Sequence, residues 1–212
     1  MPGFDPNCRK CPRISRYLAG VRQQYPGYHG RPVAAFGDTA PGLLIVGLAP
    51  GLHGANATGR PFTGDYAGVL LYDTLYRFGY SNMPTASSLH DGLVLSGCRI
   101  TNAVKCVPPQ NKPVAGEINC CNEYLSTELG EIPGRLIILA LGQIAHKAVL
   151  TALDRKQSEF RFGHNLAHRL APGRWLVDSY HCSRYNTQTR RLTTEMFHAV
   201  FKQISTLRSE AS

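Results

Sequence analysis

The chain has 212 residues, 43% of them hydrophobic, and no low-complexity tract. That suits one folded domain spanning 1–212 and excludes a disordered or fibrous protein. Lys and Arg total 23 against 14 Asp and Glu, a formal charge of +9, which favours a polyanionic partner such as nucleic acid. No charged-then-apolar leader and no bilayer-length apolar run is present, so a cytoplasmic protein without membrane contact is expected. Seven cysteines in a reducing compartment then point to metal ligation or burial rather than disulfides.

In chain order, Cys8 and Cys11 form a CxxC ahead of an amphipathic segment, 14–24. Two thiolates cannot close a tetrahedral metal site, so partners from elsewhere are required. Residues 25–42 are rich in Gly, Pro and Tyr and read as a connection. LLIVGL at 43–48 is a buried strand, and GLAPGLHGANATGRPFTGDYAG at 47–68 is a glycine-rich loop ahead of a helix over 66–76. Such a loop brings backbone N–H groups close to a ligand at the carboxyl end of a sheet. It lacks the GK[ST] ending of a P-loop and the GxGxxG spacing of a dinucleotide fold, which sets nucleotide hydrolysis and redox cofactors aside. Phe62 and Asp65 are its chemistry-bearing side chains.

A second strand over 99–104 delivers Asn102 and the segment KCVPPQNKP, with Cys106, to the same end of the sheet. The helix opened by Pro113 and running through 117–129 carries Cys120 and Cys121, which point about 100° apart. One of them is therefore expected to share a metal with Cys106 and the other to be core or surface. The spacing leaves zinc and iron–sulfur both open. RLIILAL at 135–141 is the most apolar strand and the scaffold helix over 143–153 follows it. His146 on that helix has no evident acidic partner in the sequence and reads as solvated or capping. Residues 160–168 form a loop leading to 166–170, and a last strand over 175–180 ends in SYHCSRYNTQTRRLT, which sets His181 at a strand end. A stripe of Met196, Phe197, Val200, Phe201 and Ile204 marks the final helix as core packing. Strands alternating with helices predict a three-layer α/β/α sandwich around a mainly parallel, four-stranded sheet. The 47–68 loop, the 102–111 segment and the 181–186 loop converge on one face, the expected active site.

Taken together, CxxC at 8–11, the 47–68 loop, TNAVKCVPPQNKP at 101–113, Cys121, FGHNLAHRL at 162–170 and SYHCSRYNTQTRRLT at 179–193 resemble the uracil-DNA glycosylase superfamily, and within it the iron–sulfur family 5. The resemblance covers nearly the whole chain. It implies a structural [4Fe–4S] cluster on Cys8, Cys11, Cys106 and Cys121. Leu48 and Ala49 occupy ground where most of the superfamily places a polar residue, so the resemblance moves water activation to Asp65. The sequence reads HCS where relatives commonly have HPS, which puts Cys182 in place of a proline.

The implied chemistry is hydrolysis of a base–deoxyribose bond. Positive charge develops on the sugar and negative charge on the departing base, so Asp65 is assigned to the sugar side and His181 to the base. Asn111 is placed near the reaction centre. Phe62, Gly47, Ala49, Asn102 and Ser183 are assigned to the base pocket, with Asn102 unusual because family 5 often has a small apolar residue there. Arg184 and Tyr185 are assigned to a minor-groove loop, and Lys112, Arg190, Arg191 and Lys105 to phosphates. The resemblance implies a monomer that flips uracil, and other deaminated bases such as hypoxanthine, out of DNA and leaves an abasic site. Such an enzyme would work at the nucleoid in a bacterium or archaeon. The competing reading is a non-catalytic iron–sulfur or zinc protein that binds nucleic acid. An esterase reading fails because no GxSxG or P-loop is present.

Overall fold

The computed structural model describes residues 3–209. Six strands form one sheet in the order β1-β3-β2-β4-β6-β5: β1 Phe36–Gly37, β2 Leu43–Gly47, β3 Cys98–Asn102, β4 Leu136–Leu141, β5 Ala167–Ala171 and β6 Arg174–Ser179. The inner four, β3-β2-β4-β6, are parallel, and β1 and β5 close the edges antiparallel. The parallel four-stranded sheet expected from the sequence is therefore present, with two short antiparallel edge strands added. β1 is only two residues long, and β5 is half-exposed with a register shift between Arg169 and Ala171. Both are short or irregular, as edge strands that resist further pairing usually are.

Alternation along the inner strands sorts their side chains to two cores. Leu43 and Ile45 of β2 with Ile137, Leu139 and Leu141 of β4 face one side, where α3 (Tyr66–Arg77) and α7 (Thr194–Ser209) cover them. Leu44 and Val46 with Leu136, Ile138 and Ala140 face the other, under α4 (Ala115–Glu131) and α5 (Gln143–Ala152). Burial on both faces explains why these strands are continuous apolar runs. α1 (Pro12–Gln24) has a proline in its first turn, where no backbone donor is needed, and buries Ile14, Leu18 and Val21. Ile14 and Leu18 pack with Val104, Val107 and Tyr124 as a third, smaller core that contains Cys121. No helix among the described residues is long and apolar enough to cross a membrane.

Candidate active site and cysteine cavity

Asp65 is the N-cap of α3. Its Oδ1 accepts from Gly68 N at 2.9 Å, so the sequence TGDYAG starts the helix with its carboxylate already oriented. A Cβ on Gly54 would sit 2.8 Å from Asp65 Oδ2, which shows how closely the glycine-rich loop folds over this side chain. Burial pushes the Asp65 carboxyl above the usual range although the Gly68 and Ala67 N–H groups pull the other way. No cation pairs with it among the described residues. It borders an open groove of about 900 Å³ between the start of α3, residues 84–86, Thr187 and Thr194. Its charge is near enough to Cys182 to contribute, after burial, to raising that thiol, so the 47–68 loop and the end of β6 meet there.

At that strand end His181 lies against Phe62, ring centroids 5.9 Å apart and nearly parallel. Desolvation lowers the His181 pKa to about 4, which leaves a neutral imidazole at ordinary pH. No side-chain hydrogen bond holds its ring among the described residues. Phe62 itself is buried and has φ +54°, a left-handed backbone that costs an aromatic residue about 1–3 kcal/mol. Gln110, Asn111, Asn165 and Arg190 share that conformation, and all lie in the motif loops. Gly47 ends β2 beneath this pair: a Cβ there would fall 2.4 Å from Asn102 Oδ1 and 2.6 Å from the Phe62 ring. Asn102 is 3% exposed and its Oδ1 is a buried acceptor without a donor. A buried carbonyl oxygen left unpaired costs about 1–3 kcal/mol, so it is a natural receptor for a ligand N–H.

The other sequence candidates divide. Ser183 caps a short helix, α6 (Arg184–Gln188), by accepting from Asn186 N, so the expected loop is helical. Arg184 is exposed with its guanidinium 5.9 Å from the Tyr66 ring, and Tyr185 is 71% exposed. Lys112, Arg190 and Arg191 are exposed, as is Asn111 in a 3-10 turn. Ala49 is partly buried and packs against the third core. Cys182 is buried, so packing holds this position in the loop after β6.

Two expectations are corrected. Lys105 is not a phosphate contact: it is fully buried, its Nζ bonding Thr101 and Glu128, the latter at 2.8 Å. Its partner lies 23 residues on, invisible to local reading. His146 is not solvated either; it is 2% exposed and its Nδ1 lies 2.8 Å from Asp178 Oδ1. Arg60 and Asp91, which no sequence motif marks, form a buried bidentate pair that ties the glycine-rich loop to residues 87–93. The local spacing that marks metal ligands has no counterpart for such long-range pairs.

Cys8, Cys11, Cys106, Cys120 and Cys121 line one cavity between α1, the segment after β3 and α4. Helix geometry lets only one of the adjacent pair face a shared metal comfortably, yet both Cys120 and Cys121 line this cavity, and Cys120 lies against Cys11. Burial pushes the free thiols of Cys11 and Cys106 up to about 12 and Cys121 to about 11. Among the described residues no three cysteine sulfurs lie within 4.8 Å of one another. Four sulfurs on one zinc ion at 2.3 Å stand only about 3.8 Å apart.

Residues 34–205 match the family model of the Uracil DNA glycosylase superfamily. The chain belongs to that superfamily. Over 205 residues it is 43% identical to the type-5 uracil-DNA glycosylase of Thermus thermophilus, covering 94% of this chain and 93% of the relative. It is 39% identical to the Pyrobaculum aerophilum type-5 protein over 93% and 87% of the two chains. Against the Mycobacterium tuberculosis type-5 protein the figures are 38%, 94% and 78%. This glycosylase-family chain thus aligns with its type-5 relatives over nearly all of its length.

Proposed function

We propose that this chain is a monofunctional DNA glycosylase that excises uracil, and with it other deaminated bases such as hypoxanthine, leaving an abasic site. The observation that carries the reading is the meeting of an unpaired, desolvated Asp65 with a neutral His181 stacked on Phe62. Asp65 stabilises the sugar cation and orients water, and exposed Asn111 helps to hold that water. Neutral His181 donates to the base oxygen as negative charge develops on it, which an imidazole can do without first losing charge. Phe62 stacks on the extruded base, an interaction worth about 1–3 kcal/mol against an unstacking cost of a few. The orphaned Asn102 oxygen accepts a base N–H over the Gly47 floor. Tyr185, Arg184, Arg190 and Lys112 supply the duplex contacts. The strand stays intact because Lys105, the lysine nearest Asn102 in sequence, is committed to Glu128 and is not free to attack the sugar.

The cysteine set suits a [4Fe–4S] cluster held by Cys8, Cys11, Cys106 and Cys121. The four line one cavity, brought together from the N-terminal CxxC, the segment after β3 and α4, which supports it. When bound, such a cluster supplies a cross-link between the N-terminus, the segment after β3 and α4. The test is incubation with labelled duplexes bearing uracil or hypoxanthine, followed by alkali. Strand breaks appearing only after alkali are expected; breaks before alkali, or none at all, would overturn the reading.

A further inference from the structure

Behind the active site lies a buried charge cluster that the excision chemistry does not use. His146 comes from the first turn of α5, Asp178 from β6 and His168 from β5, and one ligand atom of each lies within 4.8 Å of the others. His146 Nδ1 is 2.8 Å from Asp178 Oδ1 and its Nε2 is 2.9 Å from the Phe160 carbonyl. The Phe160 carbonyl can only accept, so Nε2 carries hydrogen and donates to it, while Nδ1 shares a proton with the Asp178 carboxyl group. Both ring nitrogens are thus engaged within the protein. Asp178 Oδ2 accepts from Gly163 N at 3.3 Å, and His168 Nε2 donates to the Arg161 carbonyl at 3.1 Å. Three points of the 160–163 segment are thereby tied to one cluster.

The segment then reaches the catalytic strand end. His164 Nδ1 accepts from Tyr180 N at 3.1 Å and its ring stacks on Tyr180 at 4.9 Å. Tyr180 precedes His181, whose ring has no hydrogen-bond partner among the described residues, so backbone contacts aim it. Those are the His164 bond on one side and Asn186 Nδ2 donating to the His181 carbonyl at 2.8 Å on the other.

We propose that His146, clamped between Asp178 and the Phe160 carbonyl, is a positioning residue for His181, acting through the 160–164 segment and Tyr180. This rests on the base-side role of His181. The groups facing the clamp are Asp178 and His168 from the two strands, Arg161 in the segment and Lys147 on α5. Desolvation works against the charged ring, but the Asp178 bond and charge and the Phe160 carbonyl outweigh it and raise its pKa above 6.5. The clamp is therefore complete below that ordinary value and is released as pH rises through the raised one.

The test is single-turnover release of uracil and of 5-fluorouracil, an easier leaving group, by wild type, His146→Gln, His181→Ala and the double variant. His146→Gln should slow uracil about tenfold, short of the roughly 10²–10³ for deleting a donor, and 5-fluorouracil by less than about threefold. The double variant should be no slower than His181→Ala. If His146→Gln does not fold, His164→Phe, which keeps a ring on Tyr180 but removes the acceptor, should show the same base dependence. Equal slowing on both bases, or penalties that multiply in the double variant, would overturn the proposal. So would wild-type uracil release that slows on chelation and recovers with zinc while His146→Gln responds to neither, which would make the cluster a metal site. A His181→Ala variant indifferent to the leaving group would instead remove the role of His181 itself.

Discussion

Two histidines near the carboxyl end of the sheet, His146 and His181, show how burial alone does not decide what a group is for. Each is desolvated. His146 meets a carboxylate and a carbonyl, and its pKa rises; His181 meets a phenyl ring, and its pKa falls to about 4. The aspartates repeat the contrast. Arg60 holds Asp91 well below the usual carboxylate range, whereas Asp65, in the same loop as Arg60, has two backbone donors and no paired cation among the described residues. His146 and Asp91 are satisfied by their partners and tie elements together, whereas Asp65 borders the open groove without a cation among the described residues.

Asp65→Asn should separate the two kinds of group with the largest effect. Asparagine caps a helix as well as aspartate and carries no buried charge, so folding should be unharmed while single-turnover excision falls roughly 10²–10⁴-fold. The sign follows from the raised pKa: ionised Asp65 costs folding free energy once pH passes the ordinary carboxylate range, and the amide does not. Thermal melts should therefore show an unchanged or higher midpoint, and a lower one would place Asp65 among the scaffold groups. Asp91→Ala is the opposite experiment. It strands a buried guanidinium, and denaturant titration should register a loss of about 3–5 kcal/mol. A loss within the range of an exposed pair, about 0–1 kcal/mol, would show the Arg60–Asp91 pair to be idle. Smaller still is the difference between two adjacent cysteines: Cys121→Ala should lose bound iron and sulfide and lower soluble yield, while Cys120→Ala keeps its iron. Equal iron loss from both would give Cys120 a ligand's place beside Cys11.

The scaffold strands are legible in the sequence because inner parallel strands must be apolar on both faces, as LLIVGL and RLIILAL are. The placement of Asp65 and His181 in loops after such strands is legible for the same reason. Other features are not. β1 pairs through two residues, too few to leave a pattern, and β5 alternates weakly because it is half-exposed. His146 looks partnerless in the sequence because Asp178 lies 32 residues on and reaches it only once β6 is laid beside β4. Lys105 resembles a phosphate ligand from its neighbours in the motif, but its side chain turns inward to Glu128. The backbone strain at Phe62 and Asn111 leaves no mark on composition, since neither residue type announces a left-handed conformation.

The division of labour between Asp65 and His181 is tested most directly by the pH dependence of single-turnover uracil excision between about pH 4.5 and 8: His181, with a pKa of about 4, is neutral across that window, and burial moves the Asp65 titration upward from the ordinary carboxylate value. The expected result is a rising limb set above the ordinary carboxylate range, abolished in Asp65→Asn and retained in His181→Ala. A rising limb at the ordinary histidine value of about 6.5 that disappears in His181→Ala would contradict it.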